Sequence, residues 1–181
     1  MVALAAQVAI PLPFSPVPIT LQGLAVLLVG GLFGSALGAG ALVLYLVVGA
    51  FGAPIFAPSG PSGLARIFGP TGGYLLAFPI AAAIAGRYAA RGRFVRCLIG
   101  AVAGMVVIYL GGWAQLTVLT GGAARAFSMG VAPFVLQDLL KGLSLDEFHH
   151  EVVEAVRFPE VDPLDDVLVL ELGCRAALAA E

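Results

Sequence analysis

The chain reads as an all-α, polytopic membrane protein, a bundle of six helices whose first and last members are incomplete. Three observations predict this. Of the 181 residues, 60% are hydrophobic and only 11% are charged, where a soluble domain usually carries about a quarter charged residues. The mean hydropathy is +1.03, which cannot be reconciled with a water-facing surface. The apolar residues also come in runs marked off by Gly, Pro or charge. Most of this chain therefore needs lipid as its solvent.

A helix crossing the ~30 Å hydrocarbon core needs roughly 20 residues. The first run, residues 1–10, is too short for that. It meets Pro11, Pro13, Pro16 and Pro18, a stretch that cannot be helical throughout, and is expected to be the second half of a span. It lacks the preceding basic residues of a signal peptide. The second and third spans are expected at about residues 20–33 and 36–51. Both are rich in Gly and Ala, which lets helix backbones approach closely in lipid. A Pro-, Gly- and Ser-rich loop follows at 54–70. The fourth span is expected at about 71–88 and the fifth at 97–119, joined by a basic turn. The sixth begins near Phe127 and is interrupted at Asp146.

Charge divides the chain in two. Residues 1–145 hold seven basic residues and one acid, a net charge of +6; residues 146–181 hold two basic residues and ten acids, a net charge of −8. The expected domains are a transmembrane unit, 1–145, and an acidic tail, 146–181. The cluster of Arg87, Arg91, Arg93 and Arg96 places the turn after the fourth span in the cytoplasm. Alternating spans then put the N-terminus inside and the loops at 11–18 and 54–70 outside. Two irregular loops on one side predict a lidded pocket open to the exterior.

Asp138 and Lys141 are the leading candidate site residues. They lie three apart in an apolar run and so share a helix face. A charge at mid-membrane costs about 2.5–3.5 kcal/mol on insertion scales, so such groups mark function by default. Asp138 can accept from N–H donors and Lys141 can pair with a carboxylate; a structural ion pair is the competing account. Gln22, polar in an apolar span, can bind a ligand or bridge helices. Gly69-Pro70-Thr71-Gly72-Gly73-Tyr74 opens the fourth span. Thr71 can cap the helix, and Gly72 and Gly73 leave backbone open to a ligand or another helix. Tyr74 adds an apolar ring with a polar tip. A phosphate loop is excluded by the missing Lys-Ser/Thr ending.

Arg66, Tyr45 and Trp113 are weaker candidates. Arg66 either attracts an anionic ligand or is a solvated loop residue. Ala5 and Ala9, four apart, form a small-residue strip suited to docking another subunit. No metal site is expected: His149 and His150 are adjacent and do not share a helix face. No cofactor, no nucleophile–base arrangement and no basic, aromatic surface for nucleic acid is found, so enzymes and nucleic-acid binders are excluded.

Taken together, Pro16-Val17-Pro18-Ile19-Thr20-Leu21-Gln22, Gly69 to Tyr74, and Asp138-Leu139-Leu140-Lys141 resemble, in order and context, the BioY-type biotin transporters. These are the substrate-binding S components of energy-coupling factor (ECF) transporters, and the resemblance covers about residues 3–143. It implies a multi-pass protein of a prokaryotic cell membrane, with a biotin pocket near its outer face. It implies energy supplied by a T component and two ATPase subunits. Carried over by position, Asp138 meets the ureido ring and Lys141 the valerate carboxylate. Gln22, Ser62 and the Gly72-Gly73-Tyr74 turn line the rest, and the Ala5/Ala9 strip falls where S components dock. Biotin's two ureido N–H donors, single carboxylate and apolar bicycle match a lone Asp, a lone Lys and an apolar pocket.

The chain departs from the family at Gln137, where relatives have glycine, and in the acidic residues that follow Leu145. The competing expectations are a carrier or S component for another small carboxylate vitamin, and a defective, truncated copy.

Overall fold

The computed structural model describes residues 1–13, 15–90 and 94–135; Asp138, Lys141 and the acidic tail lie outside the described residues, as do Arg91 and Arg93. Among the described residues the elements run α1 (Val2–Gln7), β1 (Ala9–Leu12), β2 (Ser15–Thr20), α2 (Gln22–Ala50), α3 (Leu64–Phe68), α4 (Gly72–Ala89), α5 (Phe94–Thr120) and α6 (Ala123–Gly130).

The helical expectation holds, with four local differences. The first run is helical only to Gln7. Beyond it the chain forms an antiparallel hairpin, with Ala9 opposite Thr20, Ile10 opposite Ile19 and a bulge before the Leu12–Ser15 pair. Prolines bar the helix here, and the branched residues between them suit an extended chain at a sheet edge. Ala5 is therefore helical while Ala9 sits in a strand. The expected Ala5/Ala9 strip along one helix face does not exist.

The second and third spans form one assigned helix, α2, broken at Gly34, whose backbone is left-handed at φ 78°. Only glycine adopts that conformation at little cost. The chain reverses there. The Gln22 amide lies 2.9 Å from the Tyr45 hydroxyl, although the two would be roughly 35 Å apart in an unbroken helix. The loop expected at 54–70 contains α3, a single short helix. The sixth helix begins at Ala123, earlier than expected, and turns at Val131 before residues 132–135 resume helical structure.

Helix α4 is the centre of the bundle. It packs against both α2 and α5, and its small residues let the neighbours come close. A methyl group at Gly30 of α2 would lie 2.2 Å from the Ala82 carbonyl oxygen. Val26, Ala81, Ala82, Phe78 and Leu116 fill the interior. The outer faces of α2 and α5 carry Leu24, Leu28, Leu44, Leu98, Val102 and Leu110, all exposed. Val95–Thr120 is long and apolar enough to cross a membrane, and α2, equally apolar over its 29 residues, is folded back at Gly34 into two shorter helices. Interior small residues with exposed large apolar ones are the arrangement lipid favours, since lipid rewards close packing rather than burial.

Candidate functional site

Two polar clusters lie within this apolar bundle. The first joins the hairpin, both ends of α2 and the 51–63 loop. Thr20 Oγ1 lies 3.3 Å from Gln22 Oε1, Gln22 Nε2 lies 2.9 Å from the Tyr45 hydroxyl, and that hydroxyl lies 3.0 Å from the Ile55 carbonyl oxygen. The chemistry fixes the direction of the chain. A carbonyl only accepts, so Tyr45 donates to Ile55, Gln22 donates to Tyr45, and the Gln22 oxygen accepts from Thr20. Gln22 and Tyr45 are both buried. The Phe56 ring stands edge-on to Tyr45, with centroids 5.4 Å apart.

Arg66 completes this cluster in an unexpected way. It is only 3% exposed. Its guanidinium donates to the Ser59 carbonyl and, at 2.8 Å, to the Ala57 carbonyl. Gln7 adds a bond to the Phe56 carbonyl at 3.3 Å. The loop thus has its carbonyls captured by side chains from α1, α2 and α3. Burial pushes the Arg66 guanidinium below its ordinary value, yet an arginine stays protonated at physiological pH. Arg66→Met is expected to strand two acceptors and cost about 2–3 kcal/mol. The check is a lowered unfolding temperature in detergent with faster proteolysis between residues 54 and 63; an unchanged loop would mean that the guanidinium does not hold it.

The second cluster joins α3, α4, α5 and α6. Gln115 Nε2 donates to the carbonyls of Ile67 and Gly69, at 2.9 and 2.7 Å, at the end of α3. A methyl at Gly72 would strike the Ile67 carbonyl, and one at Gly73 would lie 2.1 Å from the Gly111 carbonyl oxygen. The space that these glycines leave is therefore taken by α3 and α5. Thr71 is the N-cap of α4, but its side chain makes no capping bond. Tyr74 is buried, and its hydroxyl donates to the Gly130 carbonyl at 2.5 Å. Trp113 is half-buried and donates from Nε1 to the Ala123 carbonyl at 3.0 Å. Ser62 is exposed and belongs to neither cluster.

The two loops expected to cover a pocket do meet. Pro11, Pro16, Pro18 and Ser15 of the hairpin face Ser59 and Gly60 across a cleft of about 190 Å³. The Ser59 hydroxyl is buried there without a hydrogen-bond partner among the described residues. Ligand pockets usually measure roughly 300–1,000 Å³, so this cleft does not by itself enclose a vitamin-sized ligand.

Of the sequence-predicted residues, the structure joins Gln22 to Tyr45 directly and gathers Gly72, Gly73 and Tyr74 into the second cluster. Asp138 and Lys141 lie outside the described residues. Sequence reasoning missed Gln115, although a lone amide in an apolar helix is the same signal that singled out Gln22. It also missed Ser15, which donates to the Met129 carbonyl of α6 at 2.7 Å.

Comparison with known proteins gives these clusters a context. Residues 1–156 match the model of the BioY family, a match that runs past the boundary read at 145. A relative from Pyrococcus horikoshii, named a probable biotin transporter BioY, is 40% identical over 78% of this chain and 82% of its own length. The biotin transporter BioY of Thermotoga maritima is 38% identical over 73% of this chain and 78% of its own. The crystal structure of an S-component for biotin from an ECF-type ABC transporter superposes with a TM-score of 0.63, covering 98% of this chain and 79% of that one. At 18% identity this last likeness concerns the fold alone. With the apolar helices and lipid-type packing described above, the length and identity of these matches establish that the chain is a membrane protein belonging to the BioY family.

Proposed function

We propose that the chain is the membrane-embedded, biotin-binding subunit of a biotin uptake system. One observation carries this reading: relatives named as biotin transporters match most of the chain, at up to 40% identity. The role is transport rather than catalysis. The chain would cross a prokaryotic cell membrane several times, with residues 1–145 as its membrane domain and 146–181 as an acidic, cytoplasmic tail. Uptake would draw energy from a T component and a pair of ATPase subunits.

In this reading Asp138 accepts from the ureido N–H groups and Lys141 pairs with the carboxylate. Gln22, Ser62 and the Thr71-Gly72-Gly73-Tyr74 turn shape the remainder. Tyr45, Arg66 and Trp113 support the site at one remove. Their observed partners are Gln22, the loop carbonyls and α6, respectively.

Binding of labelled biotin to the purified full chain tests the proposal. Saturable binding of one biotin per chain is expected, with no displacement by excess pantothenate, a carboxylate vitamin without a ureido ring. No binding would overturn the proposal, and displacement by pantothenate would move the assignment to a broader class of carboxylates.

A further inference from the structure

The end of α6 contains an unusual pair of carbonyls. In a continuous helix the Met129 carbonyl would accept from the backbone N–H four residues on. That residue is Pro133, which has no N–H. The Gly130 carbonyl would accept from Phe134, but the Phe134 amide bonds at 3.1 Å to the Val131 carbonyl instead. The break after Gly130 thus deprives two successive carbonyls of their ordinary backbone donors. A buried carbonyl left without a donor is costly.

Both carbonyls find side-chain donors from distant parts of the chain. Ser15, in the hairpin, donates to Met129 at 2.7 Å and accepts from the Val17 amide at 3.1 Å. Tyr74, in α4, donates to Gly130 at 2.5 Å. Gly130 has to be glycine for this contact, since a methyl there would lie 2.6 Å from the Tyr74 oxygen and 2.2 Å from Leu116 Cδ1. Phe134, just past the break, lies against the Tyr74 ring with centroids 6.3 Å apart.

We propose that Ser15 and Tyr74 are positioning residues. By capturing the Met129 and Gly130 carbonyls they hold the break in the sixth helix open and fix residues 131–135 that follow it. The hydroxyl of Tyr74 thus serves the backbone of α6. Ser15 ties the hairpin to the same break. The consequence for binding rests on Asp138 and Lys141 being the biotin grip; the capture of the carbonyls does not.

Two measurements on the full-length protein separate these claims. The first is amide hydrogen exchange at Val131, Phe134 and Val135 without ligand. Ser15→Ala and Tyr74→Phe should speed it about tenfold, the worth of one hydrogen bond, and Ser15→Thr should restore it. In a Pro133→Ala background, where residue 133 supplies its own N–H, the further change Ser15→Ala should have no effect. The second is the biotin Kd, which Ser15→Ala and Tyr74→Phe should raise about tenfold. Val29→Ala, a buried change in α2 that lowers stability, should leave it unmoved.

Unchanged exchange in both variants would overturn the proposal, as would a Ser15→Ala effect equally large in the Pro133→Ala background. So would faster exchange with Kd shifts no greater than in Val29→Ala. If the parent chain binds no biotin, the uptake reading fails while the exchange measurement still decides whether these carbonyls are captured.

Discussion

Lys141→Ala should lower biotin affinity by several hundredfold or more, and Asp138→Asn by about ten- to a hundredfold. The asymmetry follows from what each change leaves behind. In the proposed site, removing the ammonium would leave the ligand carboxylate without its counter-charge, a loss of about 3–5 kcal/mol. Replacing Asp138 by its isosteric amide keeps the shape and one acceptor oxygen but removes the charge. A hydrogen bond to a charged group is worth about 1.5–3 kcal/mol. The two effects can be told apart with an analogue. Biotinamide, which has no anionic tail, should bind Lys141→Ala and the parent almost equally well, while Asp138→Asn should still weaken it. Binding isotherms for both ligands to the three proteins check this. Equal affinities for biotin across all three would remove these residues from the site.

Gly73→Ala is expected to be among the most damaging single changes in the described bundle, despite adding only one methyl group. The new carbon would sit 2.1 Å from the Gly111 carbonyl oxygen and 2.8 Å from Gln115 Cβ. Neither obstacle is the tip of a flexible side chain. The reverse contact is also too close, a methyl at Gly111 lying 2.6 Å from the Gly73 oxygen, so α4 and α5 would have to separate. Overpacking of this kind costs about 1–3 kcal/mol, and more where backbone must move. Loss of the Gln115 bonds to α3 would add to it. Gly31→Ala provides the contrast, because nothing lies within 4 Å of its added methyl. Thermal unfolding and yield in detergent should show a marked loss for the first variant and little change for the second. Similar behaviour of the two would mean that the α4–α5 spacing is not set at this contact.

The parts of this fold that are legible in the sequence are those governed by local chemistry. Composition announces the lipid solvent, and the Gly-Ser step at residues 34–35 marks where α2 reverses. The basic residues and the 69–74 motif frame α4. The hairpin was legible only as an exclusion: four prolines forbid a helix, but strand pairing depends on a partner that the first ten residues do not reveal. The same limit applies to Gly72 and Gly73. Absence of a side chain says that something comes close, and in the structure it is α3 and α5. Arg66 is the clearest case. A lone arginine in a Pro- and Gly-rich loop suggests exposure, yet it is buried because the loop folds its carbonyls around the guanidinium. That depends on backbone conformation no composition records. Gln115 is different again: its signal, one amide in an apolar helix, is as plain in the sequence as that of Gln22, and only its partners on α3 needed the fold.

The backbone-to-backbone seams of α4 bear on how such a chain can change over time. At Gly30–Ala82 and Gly73–Gly111 the distance between helices is set by main-chain atoms, not by the bulk of any side chain. The frame is therefore largely decoupled from the identities of the residues that face its interior. Substitutions at those interior positions can alter which small molecule is favoured while the helices keep their spacing. An ancestral bundle with these glycine seams could diversify its ligand without rebuilding its architecture, and the seams themselves would be the slowest positions to drift.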